Sequence, residues 1–182
     1  MSDFRAIAGV SATLRALLID RMELPSGMTV VPPISIGTPF VPPPQNPEAL
    51  EPEAARVNLF LFQINESPYL KNRDLPGRGV SLAYGKPPLS LELHYLLTAY
   101  GSQVNGETAI DETVGQFLLG SAMRVLHDYA IVTTQLQTVR EPYGRQILHE
   151  SLRNQGEQVK LCLHPITLED LTKVWTALTL PY

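Results

Sequence analysis

The segment "RVNLFLFQINES", residues 56–67, constrains the fold more than any other stretch. In an extended chain Val57, Leu59 and Leu61 point to one side, and Phe60, Phe62 and Ile64 to the other. A strand apolar on both faces must be covered on both, so it belongs in the middle of a sheet. It therefore needs strand partners on its flanks and helices or loops against its faces.

One partner is easily found. In "PPLSLELHYLLTAYG", residues 87–101, Leu89, Leu91, Leu93, Tyr95 and Leu97 alternate with Ser90, Glu92, His94, Leu96 and Thr98. That period of two predicts a strand ending at Gly101, its leucine side turned to the core. A helix is the competing reading, since Leu89, Leu93, Leu96 and Leu97 also have helical spacing. "VKLCLH", with Val159, Leu161 and Leu163 alternating, predicts a further strand, and "MTVV" at 28–31 a short one. In this pattern Cys162 reads as a small core residue.

Helical spacing appears elsewhere. Ile7, Val10, Leu14, Leu17 and Leu18 make one stripe over residues 4–21, with Arg5, Arg15 and Asp20 off it, and Pro25 to Gly27 as the stop. Leu118, Leu119, Ala122, Val125, Leu126 and Tyr129 make another over 112–129, behind Asp111 as N-cap. Residues 143–154 read as a short helix. In "TLEDLTKVWTAL", Thr167 and Asp170 form a capping pair, and Leu168, Leu171, Val174, Trp175 and Leu178 are expected to face the core. The fold class is α+β: a single domain over 1–182 with a mixed or largely antiparallel sheet packed by helices.

Between the first helix and the central strand the composition changes. Eight of the 21 residues from Pro32 to Pro52 are proline. Proline lacks an N–H and fixes φ, which excludes helix interiors and central strands. This predicts a long extended loop, either a surface connection or, in "PFVPPPQ", a segment that docks in another protein's groove. The loop over 66–86 concentrates Lys71, Arg73 and Arg78, which are either solvated or turned to an acidic partner.

The chain has 182 residues, enough for one domain that buries roughly 70% of its unfolded surface without metals or disulfides. Its single cysteine can form no intrachain disulfide. Fourteen basic against eighteen acidic residues, net −4, argues against nucleic acid or an anionic membrane as partner. No stretch reaches the ~20 apolar residues of a membrane helix, and the N-terminus lacks the pattern of a secretory signal.

Catalytic motifs are scarce. No glycine-rich phosphate loop, CxxC pair or HExxH occurs. His127 precedes Asp128 at a helix C-terminus, where an imidazolium is favourable without catalysis. Ser121 and Ser151 lack a nucleophile-elbow context. Glu92 and His94 share one strand face and, with Cys162 and His164 on a neighbouring strand, would make a metal-dependent hydrolase site. A strand with one wetted or subunit-facing side accounts for the same pattern without chemistry. On that reading the protein is no enzyme, with no catalytic residue, metal or cofactor.

Four blocks occur together in order: "AIAGVSATLRALL", "VNLFLFQINESPYLKNRDLPG", "PPLSLELHYLLTAYG" through "LGSAMRVLHDYAIV", and "VKLCLHPITLEDLTKVWTALTLPY". With them the sequence resembles the cap, or tail-terminator, proteins of extracellular contractile injection systems, the phage-tail-like particles of antifeeding-prophage type. The resemblance implies a non-catalytic protein closing the distal end of inner tube and sheath. It also implies a homo-oligomeric ring, a hexamer matching six-fold tube discs, with inner tube and sheath proteins as partners. Assembly would take place in the bacterial cytoplasm before the particle is released or stays with the cell. Family members commonly continue with a further strand after the final "PY", so a C-terminal extension is expected to be missing here. Phe40, Tyr69, Arg73 and Arg78, in the two long loops, are the candidate partner contacts. The alternative function is an adaptor presenting the proline-rich segment.

Overall fold

The computed structural model describes residues 4–26, 28–39, 55–69, 89–103, 110–153 and 159–179. The both-faced apolar segment is β2, Arg56–Glu66, the middle of a three-stranded sheet. On one side it pairs in parallel with β1, Ile34–Ile36; on the other it pairs antiparallel with β3, Leu91–Tyr100. Period two in "LELHYLLTAY" thus marks a strand and not a helix.

Three corrections to the sequence expectations concern this sheet. "MTVV" forms no strand; the short strand lies at Ile34–Ile36, inside the proline-rich stretch. Proline excludes a central strand but not an edge. Pro33 needs no N–H there, and its carbonyl accepts from Val57 N–H at 3.1 Å. The third correction is a bulge. Leu61 pairs with Tyr95 but Gln63 with His94, so Phe62 is the extra residue. Beyond it the faces of β2 exchange. Ile64 now lies opposite Leu93, on the side of Leu61, instead of sharing a face with Phe60.

The sheet face carrying Val57, Leu59, Tyr95, Leu97 and Ala99 receives two helices. These are α1, Ala6–Arg21, and α2, which follows a two-stranded ribbon of β4, Ser102–Gln103, and β5, Ile110–Asp111. Helix α2 spans Glu112–Asp128 and buries Leu118, Ala122 and Val125. Helix α1 buries Leu14, Leu17 and Leu18 beside Met22. Ile147, Leu148 and Leu152, around the single-turn helix α3, Glu150–Arg153, complete the core. The predicted 143–154 helix shrinks to that turn because residues 137–146 form a hairpin. Thr138 N–H donates to Arg145 O at 2.8 Å, and Gly144, at φ +73°, makes the reversal.

Helix α1 is covered on more sides than its leucine stripe implies, and its buried polar residues Ser11, Thr13 and Asp20 are each matched. Ser11 Oγ lies 2.7 Å from the Tyr95 hydroxyl. Thr13 Oγ1 donates to Gly9 O and accepts from His149 N–H at 3.0 Å. Asp20, expected off the buried stripe, is only 4% exposed. Its carboxylate accepts the backbone N–H groups of Val139, at 3.0 Å, and Arg140, at 2.9 Å. The Arg140 guanidinium in turn donates to the carbonyls of Ile19 and Met22, satisfying the C-terminal end of α1. Hairpin and helix thus hold one another by reciprocal capping.

After α2 the chain forms β6, Ile131–Val132, which pairs with β7, Val159–Lys160. The strand predicted for "VKLCLH" stops there, and residues 161–167 have no regular structure. With the alternation ended, Cys162 is exposed and not in the core. The last helix, α4, spans Leu168–Thr179. Its capping pair forms as expected: Asp170 N–H donates to Thr167 Oγ1 at 3.1 Å, and Thr167 Oγ1 donates to Asp170 Oδ2 at 2.7 Å. The architecture is α+β, one domain in which the described residues form a mixed three-stranded sheet, two small ribbons and four helices.

Candidate functional site

The polar face of β3 carries Glu92 and His94, and the structure partly gathers the set that sequence placed there. The connection after β7 brings His164 to His94, ring centroids 5.4 Å apart and nearly perpendicular. Phe62, the bulge residue, lies 6.1 Å from the same imidazole, and Asn65 Nδ2 is 3.5 Å from its Nε2. Glu92 is exposed. Among the described residues no three of His, Cys, Asp or Glu are grouped to hold a metal ion. An edge-to-face pair of rings beside a phenylalanine is a packing contact between the sheet and the segment leading into α4.

Of the candidate partner contacts, Tyr69 stands in the turn after β2 and is 89% exposed. Phe40, Arg73 and Arg78 lie outside the described residues, as do residues 40–54 and 70–88 of the two long loops.

The surfaces that sequence reasoning missed are helical. In α4 none of the residues whose burial is described is buried. The stripe expected to enter the core instead lies open. Leu168 is 80% exposed, Trp175 is partly exposed, and Leu171, Val174 and Leu178 are half-buried. The lead-in adds Leu163 and Ile166, both exposed. At 100° per residue the five large apolar side chains of α4 occupy one arc, with Asp170 at its border. Salt bridges from Lys173 to Glu169, at 2.7 Å, and to Asp170, at 3.7 Å, lie on the polar side.

A second open face belongs to α1. Its buried residues cover most of the helix circumference. The remaining arc holds Phe4, just before the helix and 93% exposed, then Ala8, Ala12, Arg15 and Ile19. An outward helix face is ordinarily rich in charge; this one carries Arg15 among apolar groups. Sequence periodicity detects an apolar stripe but not what covers it, which is why the α4 stripe was expected in the core; the outward α1 face, with two alanines, makes no stripe of large residues.

Charge elsewhere is local. Arg124 Nη2 sits 2.6 Å from Glu23 Oε1 on the surface, and that hydrogen bond, more than the charge itself, holds the Glu23 carboxyl below the usual carboxylate range. Burial pushes the Tyr95 phenol above its ordinary value, partly opposed by its hydrogen bond with Ser11. No helix among the described residues is long and apolar enough to cross a membrane.

Fold and surface together define an α+β domain with two apolar helix faces that are not buried among the described residues. The chain belongs to the Pvc16 N-terminal domain family, whose model matches residues 9–182. That membership associates it with phage-tail-like contractile injection systems. No curated protein and no solved structure matches the chain.

Proposed function

We propose that this protein is a structural cap, or tail terminator, that closes the distal end of the inner tube and sheath of a contractile injection system. It works by occupying a surface and not by turning over a substrate, so it is no enzyme and takes no cofactor. A tube grows because each ring presents to the next the surface on which it docked. A terminator ring docks with one face and offers a different one on the other, and growth stops. Bound to both tube and sheath, it also helps hold the sheath extended.

The observation that carries this reading is α4, an amphipathic helix with five large apolar residues and none buried, in a chain of a phage-tail-like family. Exposed apolar stripes of this kind are unfavourable in a lone monomer and mark contact surfaces. The proposed partners are further copies of the chain in a six-fold ring, the inner tube protein and the sheath protein, with no nucleic acid and no insertion into membrane. Assembly takes place in the bacterial cytoplasm. Tyr69 and the residues of the two long loops, Phe40, Arg73 and Arg78, are the proposed contacts to tube and sheath.

The test is negative-stain imaging of the purified protein alone and mixed with preassembled tubes. Discrete rings seated on tube ends, and tubes of bounded length when the protein is present during assembly, are expected. Protein that leaves tube ends bare and tube lengths unchanged overturns the proposal.

A further inference from the structure

The two open helix faces differ in kind, and they complement each other. The α4 stripe offers large side chains, Leu168, Leu171, Val174, Trp175 and Leu178, with acidic Glu169 and Asp170 in its first turn. The α1 face offers small ones, Ala8 and Ala12, between Phe4 and Ile19, with cationic Arg15. The α1 face is long enough to seat the stripe: at about 1.5 Å per residue, Phe4 to Ile19 spans roughly 22 Å, and Leu168 to Leu178 about 15 Å.

We infer that α4 of one copy lies antiparallel along the outward face of α1 in the next copy, and that this contact joins the subunits. This deepens the ring reading and rests on it. With Asp170 set beside Arg15 of the neighbour, Leu168 falls toward Ile19, Trp175 between Ala12 and Ala8, and Leu178 toward Phe4. Opposite charges then meet at one end, and bulky side chains fill the hollow left by alanines along the rest. The occupant is a second copy of this chain because both halves of a complementary pair lie on one polypeptide. Different faces meeting head to tail make a heterologous contact, the kind that generates rings when the rotation closes. Two copies exchanging identical faces would instead set Leu and Trp against Leu and Trp, leaving both α1 faces open.

Head-to-tail geometry has a specific test. Ala8→Glu spoils the α1 face and leaves α4 intact; Trp175→Lys spoils α4 and leaves α1 intact. Glutamate and lysine are both good helix formers and neither position is in the core, so both variants should fold, as circular dichroism can verify. Light scattering after size exclusion should show wild type as a closed oligomer and each variant alone as a monomer. Loss of a central aromatic anchor should weaken association about thirtyfold or more. Mixed one to one, the variants should form a dimer and nothing larger, since each retains the face the other lacks.

Monomeric wild type, variants that still form the full oligomer, or a mixture that stays monomeric each overturn the inference. Imaging with tubes separates this from the functional proposal. If wild type forms rings through these faces but ignores tubes, the cap reading fails and this contact stands. If Trp175→Lys keeps its ring and loses only tube binding, α4 meets the tube instead and this inference fails alone.

Discussion

Replacing Asp20 by alanine tests how the core of the fold is held together. The carboxylate is nearly fully buried and accepts the backbone N–H groups of Val139 and Arg140, in the turn of the 137–146 hairpin. Arg21 Nε stands 2.9 Å from Oδ2, at an angle that makes an ion pair and not a hydrogen bond. A hydrogen bond to a charged acceptor contributes about 1.5–3 kcal/mol, and a buried donor left unpaired costs about 1–3. Two such donors lose their acceptor, but the hairpin is exposed on its outer side, and water can reach part of the gap. About 3 kcal/mol is therefore expected, out of a total stability of about 5–15 for a domain. With a urea slope of about 2 kcal/mol/M, the unfolding midpoint should fall by about 1.5 M. Asp20→Asn keeps one acceptor oxygen and should lose roughly half as much. Equilibrium urea unfolding followed by circular dichroism measures both. A loss under about 1 kcal/mol for Asp20→Ala would show that Arg140, through the carbonyls of Ile19 and Met22, and Arg21, through the carbonyl of Gln137, hold the hairpin without the carboxylate, and that the reciprocal cap is wrong.

Two further outcomes follow from the packing. Gly9 on α1 lies against Ser151, His149 and Leu152, so a methyl group there would push into the Ser151 hydroxyl. Gly9→Ala should destabilise by about 1–3 kcal/mol despite the ~1 kcal/mol gain in helix propensity, and a higher melting temperature would contradict the close approach. Tyr95 should ionise above the ordinary phenol range, as a late phase in an alkaline titration followed by phenolate absorbance, because burial raises its pKa. Since the raised value favours the neutral phenol in the folded state, stability from this group is present below the unfolded pKa of about 10 and is lost as pH rises through the folded one. Tyr95→Phe should remove the late phase, and a phase that persists in that variant would refute the assignment.

The segment "RVNLFLF" could be read as a central strand because apolar side chains on both faces admit few other homes. "LELHYLLTAY" could be read as its neighbour because period two is unambiguous over ten residues. Helices α1, α2 and α4 were each legible from spacing, and the Thr167–Asp170 cap from two residue types three apart. The bulge at Phe62 was not legible, since pairing register belongs to two strands and neither encodes it alone. The edge strand at Ile34–Ile36 hid among prolines, whose local exclusion of central strands says nothing about an edge position.

The candidate site divides along the same line. Local pattern established that Glu92 and His94 share a face and that α4 has an apolar stripe. Only the tertiary structure decided that His94 meets His164, that Asp20 is buried under a hairpin 119 residues away, and that α4 finds no place in the core. Periodicity reports which side of an element avoids water, and that preference is short-ranged. What covers that side depends on contacts across the chain, or on another chain. Sequence determined that Leu168, Leu171, Val174, Trp175 and Leu178 share one apolar stripe, and only the fold showed that none of the five is buried among the described residues.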